Sequence, residues 1–269
     1  MIRVVLLAPI HNSLYARLVA FALAKNNSVD FAGIVVRSHW NPNRIRAEFK
    51  RDGSRLIRKI FQKLIIGDHR YGPGQKNNLS SLAASMHLPF RSLRGLAKTY
   101  NIQYKLVPDH NQSANVNFIK ALEPDLILFT GGGLIREPLL SIPKIGILNC
   151  HTGILPQYRG MDVVEWTALE EQIDSVGFGA TLHFMDRGVD TGPILIKRCI
   201  TPVPGSTFAS IRAELETVMV KMMLKGVEGI ANDSLRTCNQ TADDGQQYFV
   251  MHTRMKQAAE KKLRKILLP

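Results

Sequence analysis

Short apolar runs alternate with helix-forming segments along most of this chain of 269 residues. The runs at 2–8, 30–36 and 126–130 are rich in valine, isoleucine and leucine, which is typical of buried parallel strands. A helical segment at 15–25 separates the first two runs, so they form a β–α–β unit whose crossover should be right-handed. The alternation therefore predicts an α/β fold built around a mostly parallel sheet.

Weaker patterns extend this prediction to the rest of the chain. The segment at about 38–95 interrupts the alternation and has helical character, so we interpret it as a helical insertion. We expect a main domain at 1–205, which contains the insertion, and a helical C-terminal extension at 206–269. Further strands are predicted at 104–107, 145–149, 179–184 and 194–200, and further helices at 44–66, 79–86, 114–122, 207–226 and 255–268.

The positive charge of the chain is concentrated in two segments. The formal net charge is +13, and residues 37–70 hold ten lysines and arginines against three acidic residues. Residues 254–265 hold six against one. Such stretches bind nucleic acid, an anionic membrane surface or phosphorylated substrates, or they are simply a solvated basic surface. The tail helix could also pack on a partner subunit in a homodimer, and the sequence leaves these readings open.

The chain lacks the patterns of a membrane span or a metal site. No apolar run approaches the roughly 20 residues that a transmembrane helix needs. The three cysteines, Cys150, Cys199 and Cys238, are scattered and show neither a paired nor a metal-binding spacing. We therefore expect a cytoplasmic protein with reduced cysteines, no transmembrane segment and no metal.

Side chains that can carry out chemistry are concentrated in residues 146–193. Asn149 and His151 are two residues apart in a predicted strand, so both should face the same pocket. The side chain of Cys150 should point to the opposite face and fill the core. Asp190 lies in a loop rich in glycine and proline, directly before another strand.

An amide, an imidazole and a carboxylate can together support acyl transfer without a protein nucleophile. Asn149 and a protonated His151 could donate hydrogen bonds to the oxyanion that develops when an amine attacks an acyl carbon. A nearby Asp190 would raise the pKa of His151 and favour the charged form of its ring. Asp190 could also relay the proton that leaves the amine.

The motifs around these residues resemble those of the formyltransferase family. They are Asn-x-His at 149–151, Leu-Pro-x-Tyr-Arg-Gly at 155–160 and Gly-Val-Asp-Thr-Gly-Pro-Ile at 188–194. The resemblance is strong over about residues 100–202 and weaker over 1–36. It implies a Rossmann-like formyltransferase core with a helical insertion and a helical tail, in which 1–205 is the catalytic domain. It also implies 10-formyltetrahydrofolate as cosubstrate.

The resemblance assigns roles to particular residues of this chain. The expected catalytic residues are Asn149, His151 and Asp190. Residues expected to bind the cosubstrate are Gly132, Leu134, Ile135, Ile147, Leu148, Asp186 and Val189. Residues expected to bind the acceptor are His11, Tyr158, Arg159, Asp162 and Glu165. Arg159 could instead have a structural role in its turn, and Asp162 and Glu165 could simply be acids favoured at a helix N-terminus.

Departures from the family narrow the expected acceptor. Glycinamide ribonucleotide formyltransferase has a glycine- and serine-rich first loop, which is absent from residues 8–13. Methionyl-tRNA formyltransferase carries a C-terminal barrel of about 100 residues, for which the roughly 65 residues after Pro202 leave no room. We therefore expect the acceptor to be a small-molecule amine, the amino group of a nucleotide-linked amino sugar used in surface polysaccharide (lipopolysaccharide) synthesis. The alternatives are a tRNA formyltransferase without the barrel and a non-catalytic basic binding module.

Overall fold

The computed structural model describes residues 1–38, 78–131 and 133–267. The predicted helix at 44–66 and most of the basic segment at 37–70 lie outside the described residues, and so does Gly132. The described part of the expected insertion contains one short helix and the start of a second, and both helices pack on the rest of the chain.

The chain forms a seven-stranded mixed sheet and a separate two-stranded sheet. The central sheet has the strand order β3-β2-β1-β4-β5-β7-β8. Its first five strands are parallel, whereas β7 and β8 are antiparallel to their neighbours. The strands are β1 (Ile2–Ala8), β2 (Val29–Arg37), β3 (Gln103–Val107), β4 (Leu126–Phe129), β5 (Gly146–His151), β6 (Tyr158–Gly160), β7 (Phe178–Phe184), β8 (Ile194–Ile200) and β9 (Gln246–Tyr248).

Helices cover both faces of the central sheet, as the buried strands require. Alternate residues of β1 enter different cores: Val4 and Leu6 belong to one cluster, and Val5 and Leu7 belong to the other. The helices are α1 (Leu14–Ala24), α2 (Leu79–Ser85), α3 (Leu93–Thr99), α4 (Ser113–Ala121), α5 (Val163–Leu169), α6 (Phe208–Ala231) and α7 (Thr253–Ile266), with 3₁₀ turns at Leu139–Ser141 and Ala242–Asp244.

Most of the elements predicted in the described residues are present, and the mostly parallel α/β architecture is confirmed. The prediction missed α3, β6 and β9, which are only three to seven residues long, and it raised α5 only as a helix N-terminus at Asp162 and Glu165. Such short elements carry little periodicity of their own. The pairing of β6 with β9 joins segments that are far apart in the sequence, and a local pattern cannot indicate it.

The C-terminal region packs against the sheet and then returns to one of its ends. Helix α6 begins at a Thr207 capping box and buries Ile211, Leu215 and Val227 in the larger core cluster. Helix α7 packs along α5. The boundary between residues 205 and 206 stays a prediction. Within the described ranges, no helix combines the length and the apolar character that crossing a membrane would require.

Candidate functional site

Strand β5 places its two polar side chains, Asn149 and His151, on the same face of the sheet. Asn149 is half-buried and His151 is buried, and the two side chains share the face of Ile147. Leu148 and Cys150 point into the opposite core. Cys150 fills that core as the sequence predicts, and its burial raises the pKa of its thiol well above the ordinary value.

The loop between β7 and β8 brings Asp190 to the end of β5. Asp190 has a left-handed backbone with φ of 54°. Its Oδ2 accepts a hydrogen bond from the Gly160 backbone N–H at 2.9 Å and lies 3.3 Å from His151 Nδ1. A side chain on Gly192 would collide with the carbonyl of Phe184, so glycine lets this loop fold tightly against β7.

A second histidine, His183, belongs to the cluster, although it was not predicted from the sequence. It lies in β7 directly opposite Asn149 and is only 2% exposed. Its Nε2 is 3.1 Å from Asn149 Nδ2 and 3.4 Å from Asp190 Oδ1. A histidine within an apolar strand was the available signal, but the antiparallel pairing that places it beside Asn149 could not be read from the chain.

The hydrogen-bond partners fix which ring nitrogens carry protons. His151 Nε2 lies 2.9 Å from the carbonyl of Tyr158, which can only accept, so this nitrogen is the donor. His183 Nδ1 likewise donates to the carbonyl of Phe184 at 2.8 Å. In the neutral ring of His183, Nε2 then accepts from one hydrogen of the Asn149 amide. The second hydrogen of that NH₂ group stays available for another acceptor.

The electrostatics of the cluster favour an ionised carboxylate. Although burial opposes ionisation, the nearby imidazoles of His183 and His151 and the Gly160 N–H hold the pKa of Asp190 at about 2. For His151, burial is the largest effect and lowers its pKa below the ordinary 6.5. Asp190 acts in the expected raising direction, but it does not overcome burial, so the net shift of His151 is opposite to the one the sequence suggested.

The depressed pKa of Asp190 predicts an acid-sensitive fold. A carboxyl group whose pKa falls from 3.8 to about 2 on folding stabilises the native state fully above pH 3.8, and this contribution is lost as the pH falls towards 2. The shift corresponds to about 2 kcal/mol. Denaturant unfolding between pH 5 and pH 2 should therefore show a loss of this size in the wild type that is missing in Asp190→Asn. Parallel pH curves for the two proteins would contradict the assignment.

Two residues expected to bind the cosubstrate lie on a loop that Asn111 fixes from both sides. Leu134 is 64% exposed, whereas Ile135 is buried. Asn111 Nδ2 donates to the carbonyl of Leu134 at 2.9 Å, and its Oδ1 accepts from the N–H of Arg136 at 2.8 Å. An exposed leucine on a fixed backbone offers an apolar surface to a flat ring. Gly132, which was also expected to bind the cosubstrate, lies outside the described residues.

The other expected cosubstrate residues lie in β5 and in the Asp190 loop. The side chains of Ile147 and Leu148 are buried in the two cores, so only their backbone could meet a ligand. Asp186 is exposed, and its Oδ1 accepts from the Thr191 hydroxyl at 2.6 Å. Val189 is half-buried next to Asp190. These residues border the cluster, and their role in binding stays a prediction.

The acids expected to bind the acceptor form ion pairs within the chain. Asp162 Oδ2 lies 2.8 Å from Lys256 Nζ, and its Oδ1 lies 3.7 Å from the Arg212 guanidinium. Glu165 pairs with the same guanidinium. The positive charges of Arg212 and Lys256 thus compensate the two carboxylates, and the pairs fasten α6 and α7 to the start of α5.

The remaining acceptor candidates also have partners in the chain. The Tyr158 hydroxyl donates to Glu170 at 2.7 Å, so its ring turns away from the cluster while its carbonyl contacts His151. Arg159 is buried and donates to the carbonyl of Thr241 at 2.6 Å. His11 is exposed in the loop after β1, and its carbonyl accepts a hydrogen bond from the Leu93 N–H at 2.8 Å. The hydrogen bond from Arg159 to the Thr241 carbonyl supports a structural role for this arginine, which was one of the two alternatives from the sequence.

Comparisons with known proteins agree with this architecture. A family profile described as Formyl transferase matches residues 91–227, more than half of the chain. The methionyl-tRNA formyltransferase of Clostridium tetani is 30% identical over 184 residues, covering 67% of this chain and 55% of that protein. Among the curated relatives matched, the first two are covered over 36% and 55% of their own length, so the chain spans about half of such proteins or less.

Solved structures share the fold at low sequence identity. The crystal structure of glycinamide ribonucleotide transformylase 1 from Symbiobacterium toebii matches with a TM-score of 0.58 and 17% identity, covering 91% of this chain and 92% of that chain. A sugar N-formyltransferase from a Shewanella species matches with a TM-score of 0.56 and 12% identity, covering 97% and 87%. These likenesses show the fold, including the helical C-terminal region.

Proposed function

The chain belongs to the formyltransferase family, and from that premise we propose that it transfers a formyl group from 10-formyltetrahydrofolate to a primary amine. The observation that carries the proposal is the position of Asp190. Its carboxylate is ionised, lies within 3.4 Å of both His151 and His183, and faces the end of the strand that carries Asn149. A buried, ionised carboxylate beside two imidazoles is suited to accept a proton from an attacking amine.

Each polar side chain of the cluster has a distinct role in the proposed reaction. The free amide hydrogen of Asn149 donates to the formyl oxygen as negative charge develops there. Asp190 accepts the proton that the attacking amine loses and passes it to the folate nitrogen from which the formyl group departs, so that tetrahydrofolate leaves with its N–H restored. His151 orients Asp190 when its ring is protonated, because Nε2 then donates to the Tyr158 carbonyl and Nδ1 donates to the carboxylate. This differs from the sequence-based expectation, in which His151 donates to the oxyanion.

The residues beside the cluster fit a folate cosubstrate. The folate supplies the activated formyl group, and the chain supplies the surface that holds the pterin ring. The exposed Leu134 side chain and the backbone that Asn111 fixes provide an apolar contact next to polar backbone groups. We propose that residues 134–135, together with the backbone of β5 and the 186–190 loop, bind this ring.

For the acceptor, we propose the amino group of a nucleotide-linked amino sugar, as used in surface polysaccharide synthesis. Sugar N-formyltransferases are among the structures that share the fold over nearly the whole chain. The excess of arginine and lysine suits a diphosphate group.

Methionyl-tRNA is the second candidate, because the sequence relatives are tRNA formyltransferases and the exposed side of α7 is basic. Binding of the basic segments to an anionic membrane surface and formation of a homodimer stay predictions.

A direct assay separates the two acceptors. The purified protein is incubated with 10-formyltetrahydrofolate and either a panel of nucleotide-linked amino sugars or methionyl initiator tRNA. Formylation of a sugar is read as a mass increase of about 28 Da, and Asp190→Asn serves as the inactive control. Formylated sugar with unmodified tRNA is the expected result, and the reverse pattern would select the tRNA candidate. Release of formate without any acceptor product would contradict both.

A further inference from the structure

The segment after α6 returns to the candidate site and contacts both loops that form it. Cys238 pairs with Ile194, at the start of β8, through two backbone hydrogen bonds of 2.8 Å. Strand β9 then pairs with β6, whose last residue, Gly160, donates its N–H to Asp190. Residues 238–248 lie beyond the part of the chain that the family profile matches, so family membership assigns them no role.

Gln240, in this segment, spans the turn that carries Asp190. Its Nε2 lies 3.2 Å from the carbonyl oxygen of Asp190 and 2.5 Å from that of Gly192. Carbonyl oxygens only accept, so the nitrogen of the amide must face them, and the opposite amide orientation would place three oxygens together. The Oε1 atom is buried and has no hydrogen-bond partner among the described residues. The amide therefore contributes to this site as a donor.

The backbone at Asp190 needs an external restraint. Its φ of 54° lies in the left-handed region, where a residue other than glycine persists only if its surroundings hold it. Within the described part of the chain, Gln240 is the side chain that bonds the carbonyls on both sides of Thr191. Displacement of this turn would carry the carboxylate away from His151 and His183, to which it lies at 3.3 and 3.4 Å.

We propose that Gln240 is a positioning residue that holds the Asp190 turn in the geometry required for proton transfer. The proposal rests on the proposed function for its catalytic consequence, but the position of the carboxylate can be measured without any acceptor. A misplacement of about 1 Å in an active site can cost roughly 100-fold in rate. Loss of the Gln240 donor should therefore lower kcat and leave binding of the folate nearly unchanged.

The test compares Gln240→Leu and Gln240→Glu with Asn239→Ala, an exposed neighbour, as the matched control. In Gln240→Leu we expect kcat to fall by about 10- to 100-fold with KM for the folate within about two-fold. In Gln240→Glu the defect should be largest at neutral pH, where a carboxylate repels the two carbonyls. It should diminish in acid, where the protonated carboxyl group donates again. Asn239→Ala should match the wild type at every pH.

Nitrogen NMR of the histidine rings gives a readout that does not depend on turnover. Asp190 raises the pKa of His151, so a displaced carboxylate should make His151 titrate at lower pH in Gln240→Leu. The His151 signal is assigned with a His151→Gln variant. An unchanged titration overturns the positioning role, even if kcat falls. If the wild type formylates no acceptor, the proposed function fails, while the titration still decides the role of Gln240.

Discussion

Replacing Asp190 with asparagine is expected to lower kcat by about 10²- to 10⁴-fold, the usual range for loss of a general base. Asparagine has nearly the same shape and can still accept the Gly160 N–H, but its amide cannot take a proton from the attacking amine. The measurement is steady-state formyl transfer with the folate saturating. KM for the folate should change little, because the carboxylate acts on the amine.

The control for this variant is Asp174→Asn, which removes an exposed carboxylate from the connection between α5 and β7. We expect the control to keep wild-type turnover. Far-ultraviolet circular dichroism at neutral pH should show that Asp190→Asn keeps the fold. Turnover of a folded Asp190→Asn within a few-fold of the wild type would remove Asp190 from the proton-transfer step.

Replacing Asn149 with alanine is expected to lower kcat by about 10²- to 10³-fold, as for loss of one oxyanion donor. The amide is the neutral donor of the cluster whose second hydrogen has no partner among the described residues, whereas both ring nitrogens of His151 already face acceptors. The effect should appear in kcat rather than in KM, because the interaction strengthens only as charge develops on the formyl oxygen.

Two comparisons make the Asn149 result specific. Asn117→Ala removes an exposed amide on α4 and should leave kcat unchanged. His151→Ala should also reduce kcat, since it frees the Asp190 carboxylate to rotate. Adding this change to Asn149→Ala should have a further effect, because the two residues act on different atoms. If Asn149→Ala raised KM for the folate and left kcat intact, the amide would be a binding group instead.

The sequence predicts the parts of this site that depend on local spacing. Asn149 and His151 share a face because alternate residues of a strand do, and the glycines and proline around Asp190 indicate a tight loop. His183 could not be assigned, because its place beside Asn149 depends on antiparallel pairing across 34 residues. The net direction of the pKa shift at His151 depends on burial, which the spacing of residues does not reveal.

The residues expected to bind the acceptor also show that contacts between distant parts of the chain cannot be predicted from local sequence patterns. Asp162 and Glu165 precede and begin a helix, where acids are common, and both a binding and a helix-end role were open. Their ion pairs with Arg212 and Lys256 join positions 47 or more residues apart, so no local pattern could indicate them. Likewise, the contact of Gln240 with the Asp190 turn spans about 50 residues.

The pairing of β6 with β9 joins the segment beside the candidate site to a segment that is synthesised late during translation. Residues 158–160 meet partners at 246–248, and contacts of such long range form slowly and after local structure. A nascent chain that has emerged only to the end of α6 would contain Asn149, His151 and Asp190 but not the strand that braces them. Maturation of activity during synthesis should therefore lag behind formation of the sheet.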